Sequence, residues 1–315
     1  QMEKPNIAII GAGMSGMICA RNLKDAGYDP IVFEKSRGVG GRMATRRTSD
    51  GLQFDHGAQY VTAKNKQFQS FIDRAASAGY AANWEFDGKN TFVGSPSMNS
   101  MLGSISKDIS LQLNQEIKSV DKTENGWALS SESKKKIFDI VVLALPAPQI
   151  INLIGKNNSL SQIICGIEMA PCLTLMAAFT SDEDTPFITC SEVNDDLAWI
   201  AQDSAKPRRS REITCWVAQA GDDWSRRYLE YDKDEIARIL TPMLCERLGI
   251  NSRGLLYSSA HRWRYSKVIV PLGRSYISDD SVTLYLGGDW ATGARVEAAW
   301  ESGTAIARDI LKRVE

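Results

Sequence analysis

Apolar runs and amphipathic stretches alternate at the start of the chain in a pattern typical of a βαβ unit. Residues 6–10 predict a short buried strand, residues 14–26 predict a helix that ends at Gly27, and residues 30–34 predict a second strand. A glycine-rich turn at 11–16 joins the first strand to the helix. This order of elements favours a parallel α/β sheet.

The same kind of strand recurs in the middle and near the end of the chain. Residues 137–145 form a near-continuous apolar run, as expected of a parallel strand that is buried on both faces. Residues 283–287 predict another apolar strand, and a long helix follows from about 296 to 313. Alternating segments at 109–120 and 126–131 predict a small antiparallel meander. The sequence therefore predicts a nucleotide-type domain that is assembled from the beginning, middle and end of the chain.

The remaining stretches carry aromatic and β-branched residues that predict a second sheet. An amphipathic helix is predicted over 232–249, with Asp232 as its N-cap and Gly249 at its end. A mixed sheet with such a helix would form one wall of a cleft. The predicted strands of this second unit cover residues 171–180, 196–202, 211–219 and 254–265.

Composition indicates the general class of protein but no particular reaction. The chain has 315 residues, of which 43% are hydrophobic and 24% are charged, and this length suggests about two domains. The 37 basic residues nearly balance the 38 acidic ones, which gives a net charge of −1. We therefore expect neither a nucleic-acid partner nor a membrane partner.

Targeting signals and cysteines indicate the compartment. We expect Met2 to be the natural first residue, and no signal-peptide pattern precedes the first strand. The six cysteines have no CxxC spacing and predict free thiols in a cytoplasmic protein. Because the chain has only two histidines, His56 and His261, we expect no metal site.

Gly11, Gly13 and Gly16 form a GxGxxG motif between a predicted strand and a predicted helix. The first glycine allows a tight turn, the second allows a pyrophosphate to approach the backbone, and the third lets the helix pack on the strand. The helix N-terminus offers unpaired N–H groups to phosphate. Glu34 ends the second predicted strand, where a carboxylate can accept hydrogen bonds from a ribose diol. This context predicts a dinucleotide site.

Three further segments point to the same crevice. The pair Gly40-Gly41 followed by Arg42 predicts a second backbone bend beside a guanidinium that can bind an anion. Residues 54–60 place a Gly-Ala turn among polar groups, and Gly288-Asp289 ends a predicted strand before the last helix. In a doubly wound sheet such segments converge on the ligand crevice.

Together these segments resemble the flavin-binding family that contains amine oxidases, phytoene desaturases and protoporphyrinogen oxidases. Within this family the stretches SRGVGGRMATRR, FDHGAQY, HRWRY and GGDWA are most similar to renalase-like proteins of bacteria. The resemblance implies an α/β fold with an FAD-binding Rossmann-type domain, like that of glutathione reductase and the amine oxidases, and a second α+β substrate domain. It implies an FAD-dependent oxidase whose cofactor is bound noncovalently.

The resemblance also implies boundaries and cofactor contacts. The FAD-binding domain is expected to comprise residues 1–65, 97–155 and 276–315, and the substrate domain residues 66–96 and 156–275. The residues expected to bind FAD are Gly11, Ala12, Gly13, Ser15, Gly16, Glu34, Lys35, Gly41, Arg42, His56, Gly57, Ala58, Gln59, Val120, Asp289 and Val296.

Two departures from the family pattern disfavour an amine substrate. Amine oxidases of this family carry a lysine near flavin N5, but this chain has no lysine between Lys156 and Lys206, where it is expected. They also carry an aromatic cage, and Arg295 stands at one cage position here. Aromatic faces stabilise a cationic amine, whereas an arginine repels it.

Renalase-like proteins, by this resemblance, oxidise 2- and 6-dihydro isomers of NAD(P) to NAD(P)+, with hydride transfer to flavin N5 and reoxidation by O2 to H2O2. Such a substrate carries a labile hydride, so alignment supplies most of the rate and no strong base is needed. The sequence assigns no catalytic residue. A flat slot for the nicotinamide is expected from Tyr60, Trp263 and Trp290, with Trp199 as a further candidate, and His261 is a further expected substrate contact.

Cations for the substrate phosphates are expected from Arg262, Arg264, Lys267 and the basic loop 206–211, whose simpler interpretation is a solvated turn. His261 serves equally well as a structural histidine, and one face of the strand that carries Trp263 fits a place in the core.

Other functions stay open at this point. One alternative is a flavin amine oxidase or an alkene-forming desaturase, although a polyene substrate calls for a less charged region than 151–275, which contains the acidic run 182–184. Another is a flavin- or nucleotide-binding protein without turnover. An NAD-dependent dehydrogenase fits least, because it has no use for the glycine-pair loop. No obligate protein partner is implied.

Overall fold

The computed structural model describes residues 3–180 and 183–315. The expected first residue, Met2, and Asp182 of the acidic run lie outside these residues. The strands are β1 (Ile7–Ile10), β2 (Ile31–Phe33), β3 (Thr45–Arg47), β4 (Gln53–Asp55), β5 (Ala81–Phe86), β6 (Lys89–Gly94), β7 (Ser110–Gln112), β8 (Ser119–Thr123), β9 (Gly126–Ser130), β10 (Lys135–Phe138), β11 (Ile140–Ala144), β12 (Met169–Phe179), β13 (Thr189–Ser191), β14 (Leu197–Gln202), β15 (Thr214–Ala220), β16 (Leu255–Val268), β17 (Ile277–Ser278) and β18 (Leu284–Gly287). The helices are α1 (Met14–Asp25), α2 (Lys66–Ser77), α3 (Ser100–Ser106), α4 (Ala147–Ile154), α5 (Ser159–Ile164), α6 (Asp222–Arg227), α7 (Lys233–Leu248) and α8 (Val296–Val314).

A parallel sheet forms the centre of the nucleotide-type part of the molecule. Its strand order is β17-β18-β11-β1-β2-β7, and only the short edge strand β17 runs antiparallel to its neighbour. Helices α1 and α8 pack on one face, while the antiparallel strands β8, β9 and β10 cover the other. Because both faces are covered, the central strands are uniformly apolar. The predicted α/β Rossmann-type fold is confirmed, and the long last helix lies where the sequence placed it.

Two predicted strands divide differently in the structure. The apolar run 137–145 is interrupted at Asp139, whose carboxylate accepts a hydrogen bond from the Asn6 backbone N–H at 2.7 Å. The residues before it form β10 in the meander, and those after it form β11 in the central sheet. The segment 109–120 likewise divides, because Ser110–Gln112 pairs with β2 in the central sheet and the meander begins only at Ser119. Hydrophobic periodicity did not reveal these changes of sheet.

A second sheet with the order β13-β14-β15-β12-β16 is antiparallel throughout. Helix α7 covers one face, where Leu240 and Leu244 share a core with Trp216. The N-cap Asp232 accepts from the Asp234 backbone N–H, and Gly249 ends the helix with a φ of +65°, as the sequence predicted. The opposite face contacts β4, since Met176 and Val217 pack with Phe54.

Helix α2 and the β5–β6 hairpin connect the two sheets. Phe68 and Ile72 of α2 and Val93 of β6 lie in the same core as Met17 of α1 and Trp300 of α8. Within residues 3–180 and 183–315, none of the helices has the length and apolar character needed to cross a membrane.

Candidate cofactor and substrate site

The first glycine-rich turn is shaped by very close backbone contacts. A Cβ at Gly11 would lie 2.3 Å from the Ala144 carbonyl oxygen, and a Cβ at Gly16 would lie 1.9 Å from the Gly11 carbonyl oxygen. Both positions therefore require glycine for the packing of β1, α1 and β11. Gly13 differs, because a Cβ there would lie 3.8 Å from the nearest backbone atoms of Gly40 and Gly41. The protein itself tolerates a side chain at Gly13, so its glycine suits a ligand that approaches the backbone closely.

The glycine pair stacks directly on this turn. The Gly40 backbone N–H donates to the Ala12 carbonyl at 2.9 Å, and a Cβ at Gly41 would lie 3.2 Å from the Gly13 Cα. Gly40 and Gly41 have φ angles of +143° and +54°, which favour glycine. The two turns thus form one groove whose walls are backbone.

The start of α1 has the features of an anion site. Gly13 is its N-cap and supplies no side-chain cap, so the first N–H groups of the helix lack the usual side-chain acceptor. The hydroxyl of Ser15, in the first turn, is buried and has no hydrogen-bond partner in the part of the chain that the structure describes. A phosphate at this helix end would accept hydrogen bonds from these N–H groups and from the Ser15 hydroxyl.

Glu34 is nearly buried beside the same groove. One carboxylate oxygen accepts from the Ala12 backbone N–H at 3.1 Å, and the other accepts from the N–H and hydroxyl of Ser36 at 2.9 and 2.8 Å. These contacts fix the carboxylate at the end of β2, and Oε1, which accepts only one of them, keeps a lone pair for a ribose hydroxyl. The donors and acceptors along the groove fit the phosphate and ribose groups of FAD.

Arg42 and Asp289 connect the glycine pair to the end of β18. Arg42 Nη2 lies 2.7 Å from Asp289 Oδ1, and Arg42 Nη1 donates to the Ser266 carbonyl at 3.0 Å. The carbonyl of Arg42 accepts from the Ala58 N–H at 2.8 Å, and a Cβ at Gly57 would lie only 2.0 Å from it. Three segments named by the sequence therefore meet at one place, together with Ser266 of β16.

The other expected cofactor residues occupy varied positions. Lys35 is exposed, and Val296 begins α8. The side chain of Val120 lies in the core under the meander, which leaves only its backbone for a ligand. Gln59 is buried, and its amide donates to the carbonyls of Asp55 and Gly57 at 2.6 and 3.0 Å. These residues stay proposed ligands.

An aromatic and imidazole cluster lies on the other side of Gly57. The rings of His261 and Trp263, from β16, lie 4.3 Å apart, and each is within 5.0 Å of the His56 ring. The Trp263 indole donates to the His56 carbonyl at 2.8 Å. The structure thus brings His56 next to two residues of β16 that are far from it in sequence.

A second aromatic group follows along the same segment. Tyr60 contacts Trp199 and Phe86, with ring centroids 5.6 and 5.1 Å apart. The Trp199 indole donates to Gln59 Oε1 at 3.3 Å. The segment 56–60, which we call the flavin-lining segment for its predicted role, therefore runs between two aromatic groups.

Two contacts were missed by the sequence analysis, one to this segment and one to the neighbouring His261. Gln219 of β15 donates to the Gly57 carbonyl at 2.8 Å, and Arg46 Nη2 lies 3.2 Å from His261 Nδ1. The only sequence signal for Gln219 is a polar residue within an apolar strand, and Arg46 has none beyond its place after the glycine pair.

Trp290 corrects the expected slot. Its indole is fully buried between the central sheet and the meander, where it donates to the Leu145 carbonyl at 2.8 Å. Gly288, with a φ of +147°, turns the chain so that the side chain enters this core. Trp290 has no surface with which to contact a substrate.

Arg262 and Arg264 lie on the opposite face of β16 from His261 and Trp263, because side chains alternate along a strand. Arg262 donates to the Leu229 and Tyr231 carbonyls, and Arg264 pairs with Glu230 at 2.6 Å. Lys267 lies 3.3 Å from Asp222. Arg262 and Arg264 hold the segment before α7, and Lys267 pairs with the first residue of α6, which corrects the expectation that these cations bind substrate phosphates.

The basic loop 206–211 is not a solvated turn. Lys206 is fully buried, 3.3 Å from Asp55 and 2.9 Å from Asp203, and Arg209 lies 2.6 Å from Asp55. Charge runs are usually solvated, but here each buried cation has a carboxylate partner. Arg208 and Arg211 are exposed.

Both histidines of the cluster are neutral at pH 7. Burial and the charge of Arg46 lower the pKa of His56 to about 4, and burial, His56 and Arg46 lower the pKa of His261 to about 3. Arg46 can only donate, so Nδ1 of His261 accepts and its proton resides on Nε2.

These pKa values predict a loss of stability in acid. Below pH 6.5 both histidines are protonated in the unfolded chain but stay neutral in the folded chain. Protons therefore stabilise the unfolded chain, and the free energy of unfolding falls as the pH falls toward 4. Each histidine should remove about 2 kcal/mol between pH 7 and pH 5. In urea titrations His261→Phe should therefore lose about 2 kcal/mol less than the unaltered chain over this range. Equal losses in both proteins would contradict the assignment.

Comparison with known proteins agrees with the fold described above. The family model for NAD(P)-binding Rossmann-like domains matches residues 9–75, and that for flavin containing amine oxidoreductases matches residues 73–311. The chain is 26% identical to renalase of Mus musculus over 168 residues, which are 47% of this chain and 49% of the relative. The chain thus spans about half the length of this curated relative.

Two solved structures share the fold. One is from Exiguobacterium sp. 255-15 and is assigned to protoporphyrinogen oxidase, with a TM-score of 0.79 and 10% identity. The other is cyclohexylamine oxidase from Brevibacterium oxydans IH-35A, with a TM-score of 0.72 and 13% identity. Each match covers 99% of this chain and 100% of the other.

Proposed function

The chain belongs to the family of flavin containing amine oxidoreductases and is an FAD-dependent oxidoreductase, and from this premise we propose that it oxidises 2- and 6-dihydro isomers of NAD(P). The bound flavin supplies a two-electron acceptor, and O2 is the final oxidant. The substrate loses a hydride and becomes NAD(P)+, and O2 with one further proton becomes H2O2.

The observation that carries this proposal is a cluster of uncharged rings beside Gly57. His56, His261 and Trp263 present neutral rings there, and Tyr60 lies along the same segment. A dihydronicotinamide ring is flat and gives up hydride without a base, so such a cluster meets its needs. The Nε2–H of His261 is a donor that can orient the ring through its carboxamide oxygen.

An amine substrate fits this site less well. Lys206, which follows the stretch where amine oxidases carry their lysine, is fully buried and ion-paired with Asp55 and Asp203. Arg295, at the expected cage position, is the N-cap of α8 and pairs with the buried Glu297 at 3.1 Å. A guanidinium at this position disfavours a cationic amine.

The test is anaerobic mixing of the holoprotein with 6-dihydro-NAD while flavin absorbance is followed. We expect bleaching at a rate on the order of 1–100 s⁻¹, the usual range of enzyme turnover. Air should then restore the absorbance and release H2O2 in an amount equal to the substrate consumed. Ordinary 4-dihydro-NAD and a primary amine serve as controls. Absence of bleaching by 6-dihydro-NAD would refute the proposal, and bleaching by the amine alone would favour an amine substrate.

A further inference from the structure

A cluster of four charged side chains lies buried behind the flavin-lining segment. We call Asp55, Asp203, Lys206 and Arg209 the charge cluster. All four are less than 10% exposed, and Asp55, Asp203 and Lys206 have no exposed surface. The two carboxylates and two cations balance, so the cluster has no net charge when all four are ionised.

Asp55 is the member on which the other elements converge. Its Oδ1 accepts from the Thr45 hydroxyl and the Met98 N–H, both at 2.9 Å. Its Oδ2 faces Lys206 and Arg209 at 3.3 and 2.6 Å. Burial opposes ionisation of Asp55, but the two cations outweigh it and lower its pKa to about 2.

The cluster joins the second sheet to the flavin-lining segment. Asp203, Lys206 and Arg209 belong to the connection between β14 and β15, whereas Asp55 ends β4 directly before His56. The Asp55 backbone N–H also donates to Asp203 Oδ2 at 3.1 Å. The contacts of this connection therefore fix both the side chain and the backbone of the residue that begins the segment.

We propose that Asp203, Lys206 and Arg209 are positioning residues that hold the flavin-lining segment against the second sheet through Asp55, and that they do so as a charge-neutral set. This inference rests on the proposed place of the flavin beside residues 56–59, but not on the identity of the substrate.

Neutrality is needed because buried charges are costly without partners. Apolar side chains can give equal stability at such sites, so a buried ion cluster is better explained by the geometry that it imposes. The directional hydrogen bonds and ion pairs to both oxygens of the Asp55 carboxylate fix the position of the flavin-lining segment more closely than apolar contacts would. Asp203 faces Asp55, Lys206, Arg209 and the thiol of Cys215, and burial and the charge of Asp55 raise its pKa to about 6.

The test uses variants that change the net charge of the cluster. Lys206→Met leaves an excess negative charge that only protonation of Asp203 can cancel. We expect FAD affinity, measured from the fluorescence of released flavin, to be nearly unaltered at pH 6 and about tenfold or more weaker at pH 9. The flavin absorbance spectrum should titrate between these pH values, at a higher pH than in the unaltered chain, because the charge of Lys206 that lowers the pKa of Asp203 is gone.

The double variant Asp203→Asn/Lys206→Met restores neutrality. It should bind FAD within about threefold of the unaltered chain at both pH values and show no titration. Asp203→Asn alone has an excess positive charge and should weaken FAD binding at both. Lys118→Met, which removes an exposed partner of Glu116, is the control for loss of a lysine.

Two outcomes would overturn the proposal. One is FAD affinity of Lys206→Met that equals that of the unaltered chain at pH 6 and at pH 9. The other is a double variant as impaired as Lys206→Met, which would mean that the cluster only fills space. Failure of 6-dihydro-NAD to reduce the flavin would refute the proposed substrate, but it would not affect the inference about the charge cluster.

Discussion

Gly13→Ala is expected to fold and to lose FAD. The φ of Gly13 is −82°, which alanine adopts freely, and its methyl group would meet protein atoms only at 3.8 Å. That methyl would lie in the groove between the two glycine turns, where we place the pyrophosphate. We expect FAD affinity to fall about 100-fold or more, equal to about 3 kcal/mol. The ratio of flavin to protein after gel filtration measures the loss, and a thermal melt of the FAD-free protein measures the fold.

Two other glycines serve as controls for this change. Gly38→Ala adds a methyl group with nothing within 4 Å, so FAD content should be unaltered. Gly57→Ala places a Cβ 2.0 Å from the Arg42 carbonyl oxygen and should lower the melting temperature even without FAD. If Gly13→Ala retains a full complement of FAD, the phosphates do not lie at the start of α1.

Local patterns predicted the nucleotide part of the fold well. The βαβ unit depends on neighbouring residues, since the glycine turn, the helix period and Glu34 all fall within 35 residues. Helix α7 was equally clear, because Asp232 and Gly249 supply its caps. Apolar runs alone could not show where the chain changes sheet, because Asp139 interrupts a run whose two halves are equally apolar.

The candidate site was less predictable because its parts are distant in sequence. His56 and Trp263 were both named, but no local signal showed that the indole would bond to the His56 carbonyl. The basic loop was misjudged for the same reason. A run of cations predicts solvent when it is considered alone, and only the fold supplies Asp55, about 150 residues away, as the partner of Lys206.

The sequence also could not show toward which side of the sheet a side chain at a strand end points. Trp290 follows β18 directly, at the end that borders the ligand crevice, and this position favoured a role in the slot. The positive φ of Gly288 instead turns the indole into the core under the meander. Trp263 and Trp290 thus have indoles that each donate to a backbone carbonyl at 2.8 Å, in different environments.

Because the environments of Trp263 and Trp290 differ, substitution of Trp263 is expected to have the second large effect on activity. Trp263→Ala removes the half-buried ring beside His56 and His261, and with it the wall against which we place the nicotinamide. Flavin reduction by 6-dihydro-NAD should slow about 100-fold, because a misplaced hydride donor loses the benefit of alignment. Because the Trp263 indole also donates to the carbonyl of His56 in the flavin-lining segment, the rate is compared at full flavin occupancy, with FAD added in excess. Stopped-flow absorbance under anaerobic conditions measures the rate.

Trp290→Phe is the control in the core, because phenylalanine keeps an aromatic ring there and loses the indole N–H together with part of the ring volume. The Leu145 carbonyl is then left without its donor, and the free energy of unfolding should fall by about 1–3 kcal/mol. The rate of flavin reduction should stay within about threefold of that of the unaltered chain, since Trp290 has no exposed surface. A variant at Trp290 that slows reduction as much as Trp263→Ala, at equal FAD content, would contradict the place we give the substrate. It would move the slot toward the end of β18.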